Sequence, residues 1–150
     1  MPERYVRPNW FTRNLFNRAV AWLTQLGISV YGSRVLAVRG RRSGQWHTTP
    51  VNLLEYRGER FLVAPRGVTQ WVRNVRAGSE AELRLGSRRE RVKPVEIPDT
   101  DPLKIELLRV YLRKWAFEVG VFFEGVDANA ADEDLKRIAP NHPVFRVLPA

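Results

Sequence analysis

The chain has 150 residues, 44% of them hydrophobic, with 25 Lys and Arg against 16 Asp and Glu. That is enough apolar material for one compact domain and excludes disorder of the whole chain. There is no Cys, and His47 and His142 are its two histidines, so the sequence offers no disulfide, no thiolate site and no histidine-based zinc centre. The net charge of +9 is unevenly spread: residues 1–33 carry +3, residues 34–91 carry +8 and residues 92–150 carry −2. Arg supplies 21 of the 25 cations, and a guanidinium fork suits bidentate binding of phosphate or carboxylate. An Arg-rich composition is the plainer explanation, but the same composition leaves the last third acidic. No apolar run approaches the ~18 residues of a spanning helix. The Arg-interleaved N-terminus does not resemble a secretory signal, and a cytoplasmic location is expected.

In chain order, Phe11, Leu15, Ala19, Trp22, Leu23 and Leu26 recur at three- and four-residue spacing and predict an amphipathic helix over 9–26, ended by Gly27. Short runs rich in Val, Leu and aromatics follow: Val35 to Val38, Thr48 to Tyr56 and Arg60 to Ala64. They are separated by the turn Gly40-Arg41-Arg42-Ser43-Gly44 and the hairpin signal Arg57-Gly58-Glu59. Pro50 offers no N–H to a ladder, which predicts an edge or a bulge in the second strand. Thr69 is a candidate cap for a short helix through Gln70 to Arg76, stopped at Gly78. Ala81 to Leu85 and Arg89 to Ile97 form a second hairpin about Gly86-Ser87. Asp101-Pro102 opens a helix to about Phe117 with Leu107, Leu108, Tyr111, Leu112 and Trp115 as its buried stripe. Ala131 to Ala139 is an acidic surface helix halted by Pro140, and Val144 to Leu148 is a closing strand. The order predicts an α+β fold with a largely antiparallel sheet or small barrel and no internal domain boundary.

Residues 40–44 are the most informative local feature. Two glycines allow close backbone approach, and Arg41, Arg42 and Ser43 offer convergent donors to a phosphate; the bland reading is a solvated hairpin turn. Neither G-x-x-x-x-G-K-[ST] nor G-x-G-x-x-G is present, and no G-x-S-x-G elbow or triad pattern supports hydrolysis. His47 is either a partly buried strand residue or a further phosphate donor. Glu118, Glu124 and Asp127 are candidate carboxylates for acid–base work, more simply read as solvated or ion-paired. Trp71 and Asn74 share one face of the short helix; they are either core or the wall of a site for a flat heteroaromatic ring.

Taken together, the 40–44 turn, Pro50 six residues beyond it, the turn Ala64-Pro65-Arg66-Gly67, and Trp71 with Asn74 resemble the deazaflavin-dependent nitroreductase and quinone reductase family of actinobacteria, from about Val35 to Val95. The resemblance implies a split β-barrel related to the FMN-binding barrels, with an N-terminal amphipathic helix and short packing helices. The whole chain, 1–150, is then one unit: an N-terminal helical segment (1–33), the core barrel with the cofactor site (34–98), and a helix with the closing strand (99–150). It further implies coenzyme F420 as cofactor, with FMN as the runner-up, and hydride transfer from the reduced deazaflavin to a quinone, nitroaromatic or other electron-poor small molecule. By the same resemblance Arg41, Arg42 and Ser43 hold the phosphate, and His47, next to that turn, is counted among the cofactor-binding residues. The main chain at Pro50 and Val51 edges the ring, Ala64 and Arg66 lie beside it, and Trp71 and Asn74 adjoin it on the short helix. The sequence departs from many relatives in having His47 in place of Arg and Asn52 in place of an aromatic. No catalytic residue is assigned; Tyr56 and His47 are the guesses for a proton donor. The acceptor would be met by Ala21–Tyr31 and Lys114–Phe123.

The alternative is a non-catalytic barrel that grips a fatty-acyl or other amphiphilic anion through the same Arg cluster. The helix over 9–26 suits either an interfacial position on anionic lipid at the inner face of the plasma membrane or packing over the barrel or a second subunit. No nucleic-acid motif accompanies the positive charge, so no specific nucleic-acid partner is expected. Both a monomer and a homodimer agree with the sequence.

Overall fold

The computed structural model describes residues 32–150, so the helix expected over 9–26 and the acceptor contacts expected at 21–31 lie outside the described residues. Six antiparallel strands form a closed barrel: β1 (Ser33–Arg39), β2 (Trp46–Tyr56), β3 (Glu59–Val63), β4 (Ala81–Leu85), β5 (Arg88–Glu96) and β6 (Val144–Pro149). Their order around the barrel is β1-β2-β3-β6-β5-β4. The strands are bounded as the sequence predicts to within two residues, because turn chemistry marks their ends. Arg57 and Gly58 both take positive φ, 52° and 79°, which closes the β2–β3 hairpin with the twist the strands require. Gly86, with φ 62°, does the same between β4 and β5.

Alternation along the strands produces two cores. Leu36, Val38, Leu53, Leu62, Ala64, Ala81, Leu83, Val92, Phe145 and Val147 fill the barrel. Val72 and Val75 join them from α1 (Gln70–Arg76). The neighbouring residues Leu54, Phe61 and Val63 point outward and meet α2 (Pro102–Val119) through Leu108, Tyr111, Leu112 and Trp115. Each large apolar side chain withdrawn from water in these layers contributes about 1.5–3 kcal/mol.

The start of α2 follows from its sequence. Asp101 caps it by accepting from the Leu103 N–H at 2.9 Å, and Pro102 occupies the first helical position, where its missing donor costs nothing. The helix is interrupted at Trp115, with φ −126° and ψ 16°, and passes at Val119 into the single turn Gly120–Phe123. The predicted cap at Thr69 needs correcting. Thr69 is the N-cap by position, but its side chain makes no capping bond and its Oγ1 is buried without a hydrogen-bond partner among the described residues. The acidic helix α3 (Asp132–Ile138) is shorter than predicted, and its surface character stops at Leu135 and Ile138, which are fully buried in the outer core.

Candidate functional site

The barrel is split along one side of β2. Leu53 to Tyr56 pair with β3, whereas Trp46 to Asn52 pair with β1 and not with β3. The Leu53 N–H donates to the Gly32 carbonyl on the β1 side at 2.9 Å. By alternation, the polar main-chain groups of Val51 also turn toward β1, and those of Thr48, Pro50 and Asn52 turn to the open side. Pro50 therefore lies where the sequence rule puts it, on a strand edge, with its missing N–H on the open side. His47 through Asn52 all line one cavity of about 470 Å³, as consecutive residues do when a strand presents its edge.

The opposite wall is formed by Ala64 to Gly67 and by α1. A turn is closed by the Gly67 N–H donating to the Ala64 carbonyl at 3.2 Å, with Pro65 in its second position and Gly67 at φ 90°. It delivers the chain to α1, from which Gln70, Trp71 and Asn74 face the cavity. The two readings of Trp71 coincide: it lines the cavity and its ring packs on Phe145, 5.5 Å between centroids at 53°.

At one end of the cavity stands the turn 40–44, fixed from both sides. The Arg39 guanidinium donates to the Gly44 carbonyl at 2.9 Å. Arg41 donates to Asn74 Oδ1 through its main-chain N–H at 3.1 Å and through Nη1 at 2.8 Å, and to Gln70 Oε1 at 3.0 Å. Gly40 sits close under this turn: a Cβ there would lie 2.5 Å from Ser43 Oγ and 3.0 Å from His47 Nε2, so both exposed side chains would have to swing aside. His47 is exposed, so the buried alternative for it does not hold. Of the ten predicted site residues, His47, Pro50, Val51, Ala64, Arg66, Trp71 and Asn74 line the cavity. Arg41, Arg42 and Ser43 do not; they form the exposed or half-exposed turn that Arg41 ties to its rim.

The other end is built by α2 and the turn that follows it. Tyr111, Glu118, Val119 and Phe122 line it together with Asn52 and Val63. The Asn52 amide donates to Glu118 Oε2 at 3.3 Å. Complete burial, and to a lesser degree the Glu118 charge beside it, push the Tyr111 hydroxyl well above the usual tyrosine range, against a smaller opposing effect of its hydrogen bond with Asn52. Of the three carboxylates singled out in the sequence, Glu118 alone reaches the cavity. Glu124 lies 4.0 Å from Arg137, and Asp127 accepts from the Asn129 N–H. Tyr56, one guess for a proton donor, is not at the cavity: its hydroxyl donates to Glu106 Oε1 at 2.7 Å. The convergence of Asn52, Tyr111 and Glu118 is absent from the predicted site because it joins residues 66 positions apart; the family departure at Asn52 is its one signal in the sequence.

Comparisons with known proteins agree with this architecture. The sequence model of the F420H(2)-dependent quinone reductase family matches residues 13–127. No curated protein matches the chain in sequence. Among solved structures, an F420-H2 dependent reductase, FDR-A, is 15% identical with a TM-score of 0.52, over 77% of this chain and 93% of that one. An FAD-binding protein from Mesorhizobium loti is 16% identical with a TM-score of 0.50, over 100% of this chain and 94% of that one. A protein from Agrobacterium tumefaciens is 16% identical with a TM-score of 0.50; 95% of this chain is covered, spanning 56% of that protein's length. At these identities the solved structures speak for the barrel.

Proposed function

The chain belongs to the F420H(2)-dependent quinone reductase family, and so is an oxidoreductase of coenzyme F420; on that premise we propose that it passes a hydride to a quinone, nitroaromatic or similar electron-poor acceptor in the cavity beside β2. The observation that carries this reading is the cavity's polarity. A cationic turn stands at one end, the edge of β2 and Trp71 line the middle, and the α2 wall stands at the other end.

The residues fit the cofactor. A volume of about 470 Å³ is that of a small-molecule site, and the donors near the turn are of the kind that a phosphate requires. Arg41, Arg42 and Ser43, with His47, would hold the phosphate. Pro50, Val51, Ala64, Arg66, Trp71 and Asn74 would hold the ring system, Val51 through its side chain since its polar main-chain groups serve β1. When bound, the reduced deazaflavin supplies the hydride. The protein's own part is orientation and exclusion of water. The edge of β2, Trp71 and Asn74 of α1 would bound the ring system, and Val119 and Phe122 would present apolar surface to an acceptor.

Titration of the protein with oxidised F420, followed by fluorescence with FMN in parallel, tests the cofactor half. Micromolar or tighter binding of F420 is expected. Consumption of reduced F420 upon addition of a quinone, followed at the deazaflavin absorbance, tests the reaction. Binding of neither flavin would overturn the reading.

A further inference from the structure

The barrel has a second cavity, of about 270 Å³, which shares no lining residue with the one beside β2. Strand register places it at the opposite mouth. The last residues of β2 and the first of β3 meet the start of β1 and the β4–β5 hairpin there. Leu53, Leu83 and Leu85 give it an apolar lining, and Leu53 and Leu83 belong to the barrel core. Around them stand five arginines and two glutamates. Both carboxylates are already matched by one guanidinium: Arg60 donates to the two oxygens of Glu90 at 2.7 and 2.6 Å, and Glu55 is its direct partner across β2 and β3. Arg34 donates to the Ser33 carbonyl at 2.7 Å, and Arg84 donates to Glu82 at 2.9 Å. Arg88 and Arg89 are exposed and make no hydrogen bond or ion pair among the described residues.

Register supplies a second observation. Arg89 is paired directly with Arg84 across the hairpin, and like charges at opposed positions weaken a sheet. The carboxylate nearest to hand, Glu82, is shared between Arg84 and Arg91 and leaves Arg89 uncompensated. A local rule broken beside a cavity, with no gain to the fold, is a mark of function.

We propose that this mouth binds a compact oxyanion carrying two or more charges, a phosphate ester or a polycarboxylate, held by Arg88 and Arg89 over the leucine lining. Guanidinium forks match the paired oxygens of both groups. The recess lies just under the usual size of a small-molecule site, which selects a compact ligand. An anion seated there also offsets the repulsion between Arg84 and Arg89. The site lies apart from the cavity assigned to hydride transfer, so it stands or falls independently of the reductase reading.

The test is a titration of the protein with inorganic pyrophosphate and, separately, citrate, followed by amide NMR at about 0.15 M salt, where long-range fields fade within about 8 Å. Saturable shifts are expected in residues 83–90, with a dissociation constant below about 1 mM for at least one anion. Amides of the 40–44 turn report separately on the candidate cofactor site. Arg88→Ala combined with Arg89→Ala is expected to weaken binding by about tenfold or more. Arg113→Ala combined with Lys136→Ala, which removes two exposed cations elsewhere, should leave it unchanged. Binding of one anion and not the other supports the site and names its ligand class. Absence of saturation at residues 83–90 with both anions, shifts confined to the 40–44 turn, equal weakening in the Arg113 and Lys136 variant, or a response to a nucleic-acid strand and to neither small anion would each overturn the proposal. The wild-type shifts decide even if a variant does not fold.

Discussion

Arg41 and Asn74, 33 residues apart, are joined twice through one oxygen: Asn74 Oδ1 accepts both the main-chain N–H and the guanidinium of Arg41. Asn74 is 3% exposed, so the bond ties the 40–44 turn to a buried point on α1. Asn74→Ala removes the acceptor from a partly buried N–H and is expected to cost about 1–3 kcal/mol of stability. It should also weaken F420 binding, because the turn loses its fixed place. Asn74→Asp keeps the acceptor and should retain most of both. Thermal melts alongside a fluorescence titration check the pair.

Arg41 and Arg42 should separate in experiment. Arg41 is engaged with Asn74 and Gln70, whereas Arg42 is exposed and makes no hydrogen bond or ion pair among the described residues. Arg42→Ala is expected to lower F420 affinity by about 1–2 kcal/mol, as loss of a solvent-screened charge-assisted contact does, without moving the melting temperature. Arg41→Ala should lower both. Repeating the titrations at high salt should shrink the Arg42 effect the more.

The pH profile of stability should fall at both ends, for identifiable reasons. Burial raises the Glu82 carboxyl, but hydrogen bonds from Arg84 at 2.9 Å and Arg91 at 3.0 Å, and their charges, outweigh it and hold Glu82 below its ordinary value of 4.5. The hydrogen bonds from Arg60, against a smaller effect of burial, do the same for Glu90. A group whose pKa is lowered by folding contributes fully above its unfolded value. That contribution is lost as the pH falls through the folded value, so melting temperature should drop below the usual carboxylate range. Glu82→Gln should lower the melt at neutral pH and flatten this acid limb. Tyr111 works in the opposite sense. Its raised pKa means that the unfolded chain releases a proton near 10.0 which the folded chain keeps, so stability declines as the pH rises past that value. Tyr111→Phe should flatten the alkaline limb.

Gly32 begins the described chain at φ 88°, where a Cβ would stand 3.0 Å from the fully buried Trp115 ring and 3.3 Å from the Leu53 carbonyl. Gly32→Ala imposes both a left-handed backbone on an L side chain and a contact the ring cannot yield to easily. A loss of about 1–3 kcal/mol is expected in denaturant melts. A wild-type melt in this variant would show that β1 can re-enter the barrel without the close approach.

The elements legible in the sequence are those whose signals are local. Period-two alternation, the Arg57-Gly58 and Gly86-Ser87 turns and the Asp101-Pro102 start carry their own geometry, and the structure repeats them. Pro50 was informative at longer range because a missing donor constrains which side of a strand is open. The α2 end of the cavity was not legible in the same way. Glu118 read as one more solvated carboxylate, since nothing local places it against Asn52; the docking of α2 on the outward faces of Leu54, Phe61 and Val63 does that. The mistaken expectation at Thr69 has a comparable cause. A capping residue is recognisable by type and position, whereas the orientation of its hydroxyl, here buried without a partner among the described residues, is not written in the sequence.

Among the described residues, the stretch from Trp46 to Asn52 has a strand partner on one side only, and such a border invites pairing with a foreign chain. Pro50 sits near the middle of it, so an incoming β-strand would meet a missing rung where two neighbouring donors could otherwise guide it. The residue that lines the cavity thus also interrupts that border, and exchanging it for a β-branched residue is expected to raise the tendency to aggregate, as light scattering on heating would report.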